Sequence, residues 1–168
     1  MRCMIEIFDR IVAHLNSSDK RERLKLFSIH HTRCEGWVKG ELIWLFEELK
    51  KKHIVDCFEV EAENKIDFFL WKEQKKILIE LKAMSIDKKR SLSFYYSKNQ
   101  IGKDFRKLHN KQRGEKNVLV VAYPCTFEQW KTQVGRVKTK YPWTCCDKCV
   151  ESPLDSERMY TIAMWKVT

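Results

Sequence analysis

The reading of the fold turns on "KIDFFLWKEQKKILIELKAM", residues Lys65 to Met84. Two apolar runs flank Glu73 and Gln74, yet Asp67, Glu80 and Lys82 stand inside them. A turn centred on Glu73 and Gln74 sets Lys72 opposite Lys75, Trp71 opposite Lys76, Phe69 opposite Leu78 and Asp67 opposite Glu80. Directly opposed residues point to one face with Cβ atoms roughly 4.5–5.5 Å apart, and Lys82, two residues beyond Glu80, shares that face. The other face carries Ile66, Phe68, Leu70, Ile77, Ile79 and Leu81, all apolar. Glu-Gln is not a preferred turn pair, and a one-residue slip would send the two carboxylates to opposite faces. The register is therefore the expectation on which the rest depends.

A charge in a buried strand costs several kcal/mol unless it is paired, solvated or metal-bound. Two opposed carboxylates repel unless a cation lies between them. Hard oxygen ligands on rigid strands suit Mg²⁺ or Mn²⁺, which also accept phosphate oxygens. A lysine beside the ion can hold or polarise a water or hydroxide for attack on phosphorus. The competing reading is a salt-bridged triad of Asp67, Glu80 and Lys82 at a sheet edge.

Working outward, Ile5, Phe8, Ile11, Val12 and Leu15 predict an N-terminal amphipathic helix, neither signal peptide nor membrane span. Polar residues Asn16 to Arg23 lead into a further short helix. Val38, Leu42, Leu45, Phe46 and Leu49 predict a helix from about Cys34 or Gly36 to Lys52. "HIVDCFEVEAEN" reads as a strand, with a turn over Ala62–Asn64. After the hairpin, Ile101, Phe105 and Leu108 predict a helix from Ser97 onward, and "KNVLVVAYP" a strand buried on both faces. A short helix at about Phe127–Val134 and a strand in "RMYTIAMWKV" close the chain. The order α, β, β, β, α, β predicts an α/β fold, a mixed sheet flanked by helices. One domain covers 1–168, with a helical segment over about 1–33 and a cysteine-containing extension over about 125–168.

The chain has 168 residues, 43% hydrophobic and 33% charged, with a formal charge of +10. This fits a folded domain whose basic surface either attracts a polyanion, which makes nucleic acid the first partner to consider, or is a lysine-rich surface that keeps the protein soluble or suits a hot environment. Seven cysteines, an odd number, and no export signal predict a reducing, intracellular setting, cytoplasm or nucleoid, rather than a disulfide scaffold.

Asp67, a gap of twelve residues, then Glu80-Leu81-Lys82 after Ile77-Leu78-Ile79 resembles the signature of the PD-(D/E)XK nuclease superfamily, with the restriction-endonuclease-like fold. The resemblance covers roughly Gly36 to Pro124, with Ile66 where the family has proline. It implies a metal-dependent nuclease acting on DNA, an endonuclease, with Asp67, Glu80 and the Leu81 carbonyl as Mg²⁺ or Mn²⁺ ligands and Lys82 assisting the water. The family's acidic residue on the preceding helix is assigned to Glu41, beside the apolar stripe, as a further ligand; the alternative is an ordinary glutamate paired with a lysine. The RecB-like branch places a glutamine on the helix after the motif, here Gln100, with Lys98, Lys103, Arg106 and Lys107 available for phosphates. That branch's tyrosine position holds Asp104. Tyr95 and Tyr96 are either base-stacking groups or, preferably, core. By analogy with the fold's dimeric members a homodimer is expected. The alternatives are a non-cleaving nucleic-acid-binding subunit of a repair or defence complex, or an RNA endonuclease, whose expected histidine on the first helix is not apparent.

Cys34, Cys145, Cys146 and Cys149 are laid out like the one-plus-three cysteines of RecB-like iron–sulfur nucleases, with a different late spacing. Reduced, mostly buried thiols are preferred over an iron–sulfur cluster or zinc site there.

Overall fold

The computed structural model describes residues 2–61, 65–87, 91–97, 99–111 and 113–168. The turn expected over Ala62–Asn64 and the phosphate contact assigned to Lys98 lie outside the described residues. Three helices come first, α1 (Arg2–Leu15), α2 (Ser18–Ile29) and α3 (Glu35–Lys51). Each of α1 and α3 turns an apolar stripe inward: Ile7, Phe8, Ile11 and Leu15 from the first, Val38, Leu42, Leu45, Phe46 and Leu49 from the second. Strands β1 (Cys57–Val60), β2 (Phe68–Lys72) and β3 (Lys75–Ser85) follow as an antiparallel meander. The single turn α4 (Leu92–Tyr95) and helix α5 (Ile101–His109) lead across to β4 (Glu115–Tyr123), parallel to β3. Helix α6 (Phe127–Lys140) and the antiparallel pair β5 (Thr144–Pro153) and β6 (Met159–Val167) complete the chain.

The strands of the described residues form one mixed sheet in the order β1-β2-β3-β4-β6-β5, with helices on both faces. The α1/α3 face buries Phe68, Leu70, Ile77, Ile79, Leu81, Leu119 and Val121. The opposite face, under α4, α5 and α6, buries Phe69, Leu78, Met84, Val118, Val120 and Trp165. This alternation follows from the strand period of two. Covered on both sides and paired on both edges, β4 needs the continuous apolar run that its sequence shows. Among the described residues no helix is long and apolar enough to cross a membrane.

The hairpin has the expected register: Lys72 faces Lys75, Trp71 faces Lys76 and Phe69 faces Leu78. Glu73 and Gln74 take φ of +49° and +63°, the left-handed pair that a tight hairpin demands. That conformation costs residues with a Cβ about 1–2 kcal/mol each. Asp56 offsets part of it, its Oδ2 accepting the Glu73 N–H at 2.7 Å. Gly114 opens β4 at φ +108°, where an added Cβ would lie 2.3 Å from Leu78 Cδ1; only glycine fits.

Four expectations need correction. Ile66 packs under α5, not on the α3 face, because Lys65 (φ +57°) turns the chain out of the pleat before β2 begins. The helix placed from Ser97 starts at Ile101, after the separate turn α4. Helix α6 runs six residues beyond Val134, to Lys140, started by a capping box between Thr126 and Gln129. The cysteine-containing tail holds, besides the expected closing strand β6, which pairs with β4, an unforeseen strand, β5, paired with β6.

Candidate active site

The antiparallel ladder of β2 and β3 ends at Phe68–Ile79, while β3 continues to Ser85. From Leu81 onward β3 therefore presents unpaired backbone groups on its β2 side. Carboxylates satisfy them: Asp67 Oδ2 accepts the Leu81 N–H at 2.9 Å, and Glu35 Oε2 accepts the Ala83 N–H at 3.1 Å. In a strand the N–H and C=O of one residue leave on the same side, so the Leu81 carbonyl also projects toward Asp67.

Around this open edge four parts of the chain converge. Glu80 and Lys82 extend from β3 toward α5, and Asp67 comes from the segment just before β2. Glu35, in the first turn of α3, faces Lys82 Nζ at 3.2 Å. Lys39, one helical turn on, donates to Asp67 Oδ1 at 2.7 Å and also pairs with Glu61. From α5, Lys107 pairs with Glu80 and donates to the Lys65 carbonyl at 2.6 Å. Asp104, one turn earlier, has its Oδ2 buried with no hydrogen-bond partner among the described residues.

The electrostatics separate the three carboxyls. Burial works against the charge of Asp67, but Lys39, the Leu81 N–H and a hydrogen bond with Glu80 hold it below the usual carboxylate range. Glu80, only 3% exposed, is pushed up to about 8 by burial and by Asp67, against the pull of Lys107. It carries a proton at neutral pH and shares a hydrogen bond with its ionised neighbour, as two close carboxyls must. Asp104 is raised to about 6, first by burial. For Lys82 burial favours the neutral amine, and Glu35, Asp104 and Asp67 more than offset it, so the ammonium persists. Lys82 is a donor and a charge at this site, not a proton acceptor.

Glu41 is elsewhere. Its carboxylate faces His14 at 2.9 Å, Lys20 at 3.5 Å and Arg23 at 3.9 Å, against α1 and α2. The α3 stripe is broad enough to have two flanks: the Glu41 flank meets α1, and the Glu35 flank, three residues before Val38 and seven before Leu42, meets β3. The acidic helix residue beside the motif is thus Glu35. Gln100 caps α5 through its carbonyl, which accepts the Lys103 N–H at 2.8 Å. Lys103 is exposed and Arg106 half-buried on α5, while Lys107 turns inward onto Glu80. Tyr95 and Tyr96 are core residues, their hydroxyls bonded to the Ser85 carbonyl at 3.0 Å and to Trp165 Nε1 at 3.2 Å. Cys34 lies in the α3-side core, and Cys146 and Cys149 pack on the other face of the sheet, so the four cysteines do not gather at one point.

Among the described residues no three His, Cys, Asp or Glu side chains are grouped to hold a metal ion. The donor chemistry of the Asp67–Glu80 pair nevertheless fits a hard divalent cation: two carboxyls in contact, one retaining a proton that such an ion would displace, with the Leu81 carbonyl directed the same way. Comparison with protein-family models, with curated proteins and with solved structures finds no match for this chain.

Proposed function

We propose that the chain is a metal-dependent nuclease with a restriction-endonuclease-like core, α3-β1-β2-β3-α5-β4, hydrolysing DNA phosphodiester bonds as an endonuclease. The observation that carries this reading is the meeting of Asp67, Glu80 and Lys82 on one side of the β3 edge. Asp67, Glu80 and the Leu81 carbonyl are the groups that would hold Mg²⁺ or Mn²⁺, which supplies charge neutralisation at the phosphate and acidifies a bound water. Lys82, kept charged by Glu35, orients the water and the phosphate oxygen. Asp104, ionisable near neutral pH, is placed to take up a proton beside Lys82. The charge of +10 favours a polyanion through counterion release.

A second reading rests on the pairing itself. Lys39 holds Asp67, Lys107 meets the protonated Glu80 and Glu35 holds Lys82, so every polar group of the motif already has a partner. Such an arrangement also suits a nucleic-acid-binding subunit that does not cut. Circular single- and double-stranded DNA incubated with Mg²⁺, Mn²⁺ or EDTA separates the two. The nuclease reading expects metal-dependent cutting lost in Asp67→Ala and Lys82→Ala. Cutting that survives either substitution refutes the site, and binding without cutting under every condition supports the second reading.

A further inference from the structure

Cysteines three apart in a regular strand point to opposite faces with Cα atoms about 10 Å apart, beyond the reach of a disulfide. In β5 a bulge changes this. Cys146 pairs with Trp165 and Cys149 with Ala163, and the register shift lies between Cys146 and Lys148, leaving one surplus residue, Asp147. Trp165 and Ala163 are two residues apart on β6, about 6.6 Å, so the two cysteines span that same interval and share one face. Disulfides accept Cα separations of about 4.4–6.8 Å. Both thiols pack against the cluster containing Trp130 and Trp165 and remain half-exposed on an edge strand.

We propose that Cys146 and Cys149 form a reversible redox site, closing to an intrachain disulfide across the β5 bulge when a low-molecular-weight disulfide such as oxidised glutathione is present. Cys146 is the attacking sulfur: the neighbouring Cys149 thiol holds it below the usual thiol range against burial, and in its protonated form it donates to the Lys148 carbonyl at 3.7 Å. Cys149 is raised, by that same contact first and burial second, and keeps its proton. The Cys146 thiolate attacks one glutathione sulfur, forming a mixed disulfide and expelling one glutathione thiolate. Cys149 then gives its proton to solvent and attacks Cys146 Sγ, expelling the second. Two protein thiols become one disulfide, and the two electrons end on two glutathione thiols. Cys145, exposed, and Cys34, across the sheet, take no part.

The test is thiol mapping on the full chain, purified reduced and equilibrated in glutathione buffers from reduced to oxidised, then quenched with an alkylating reagent and digested. Cys146 and Cys149 should lose alkylation together at one midpoint, with a linked peptide lighter by two hydrogens and a change in tryptophan emission at the same midpoint. Cys145→Ser should leave that midpoint unmoved, and Cys146→Ser should leave Cys149 fully alkylated. A linkage of Cys149 to Cys125, a buried thiol of the same cluster, separate glutathione adducts without linkage, or two thiols still free in the most oxidised buffer would each overturn the proposal. The wild-type map decides this even where a variant folds poorly.

Discussion

Replacing Glu80 by glutamine in the metal-free protein should abolish the pH dependence of stability contributed by this residue. The Glu80 carboxyl moves from 4.5 in the free side chain to about 8 in the folded protein. Roughly three and a half pH units at about 1.4 kcal/mol each make about 5 kcal/mol. The sign follows from which state holds the proton. Below pH 4.5 both states are protonated and no penalty exists. Between 4.5 and 8 the unfolded chain has released the proton while the native one keeps it, so folded stability falls as pH rises; above 8 the full penalty stands. Glutamine keeps the shape and a hydrogen-bond donor for Asp67 without the charge. The shared contributions of Lys39, Asp104 and Lys107 largely cancel between the two proteins. Urea unfolding of both in EDTA from pH 5 to pH 9 should show the variant gaining up to about 5 kcal/mol on the wild type, most of it before pH 8. Millimolar Mg²⁺ at pH 8 should recover much of that difference for the wild type alone, a cation replacing the lost proton. Curves that stay parallel across the pH range would refute the assignment of a buried, proton-holding Glu80. An Mg²⁺ effect equal in both proteins would refute Glu80 as a ligand.

Three further outcomes follow from the geometry. Glu73→Asn with Gln74→Gly should raise stability by about 1–2 kcal/mol in urea unfolding, since both positions need a positive φ and the Asp56 bond is to the backbone. Glu35→Gln should lower DNA cleavage by roughly 10- to 100-fold with the fold intact, whereas Glu41→Gln should cleave as wild type and lose about 1–2 kcal/mol of stability through its contacts to His14 and Lys20. Thr126→Ala should cost about 1 kcal/mol, read as a lower thermal midpoint, because the capping box of α6 is lost.

What the sequence made legible was the part governed by period two. The hairpin register, the two-faced sheet and the strand buried on both sides all follow from apolar alternation. Strand β5 escaped because its bulge places two residues where the pattern allows one, so Cys146 and Cys149 share a face that simple alternation denies them. The same irregularity that hid the strand makes a C-x-x-C pair into neighbours. Ile66 was misplaced for a related reason, the left-handed Lys65 breaking the pleat one residue before it mattered.

The site residues that were missed show a different limit. Glu35 lay on the α3 stripe by arithmetic, three residues before Val38, but Glu41 fits the same stripe from its other flank, and helix period alone does not say which flank meets the sheet. The choice is made by where β2 stops. Because the β2 ladder ends at Phe68–Ile79 while β3 runs six residues further to Ser85, the N–H groups of Leu81 and Ala83 want acceptors, and carboxylates at the α3 N-terminus and just before β2 reach them. Asp104 and Lys107 depend likewise on the crossover that lays α5 over β3. The charges of the motif were visible in the hairpin from the outset; their partners come from helices tens of residues away, and it is these that leave Glu80 protonated, Lys82 charged and Asp104 poised between them.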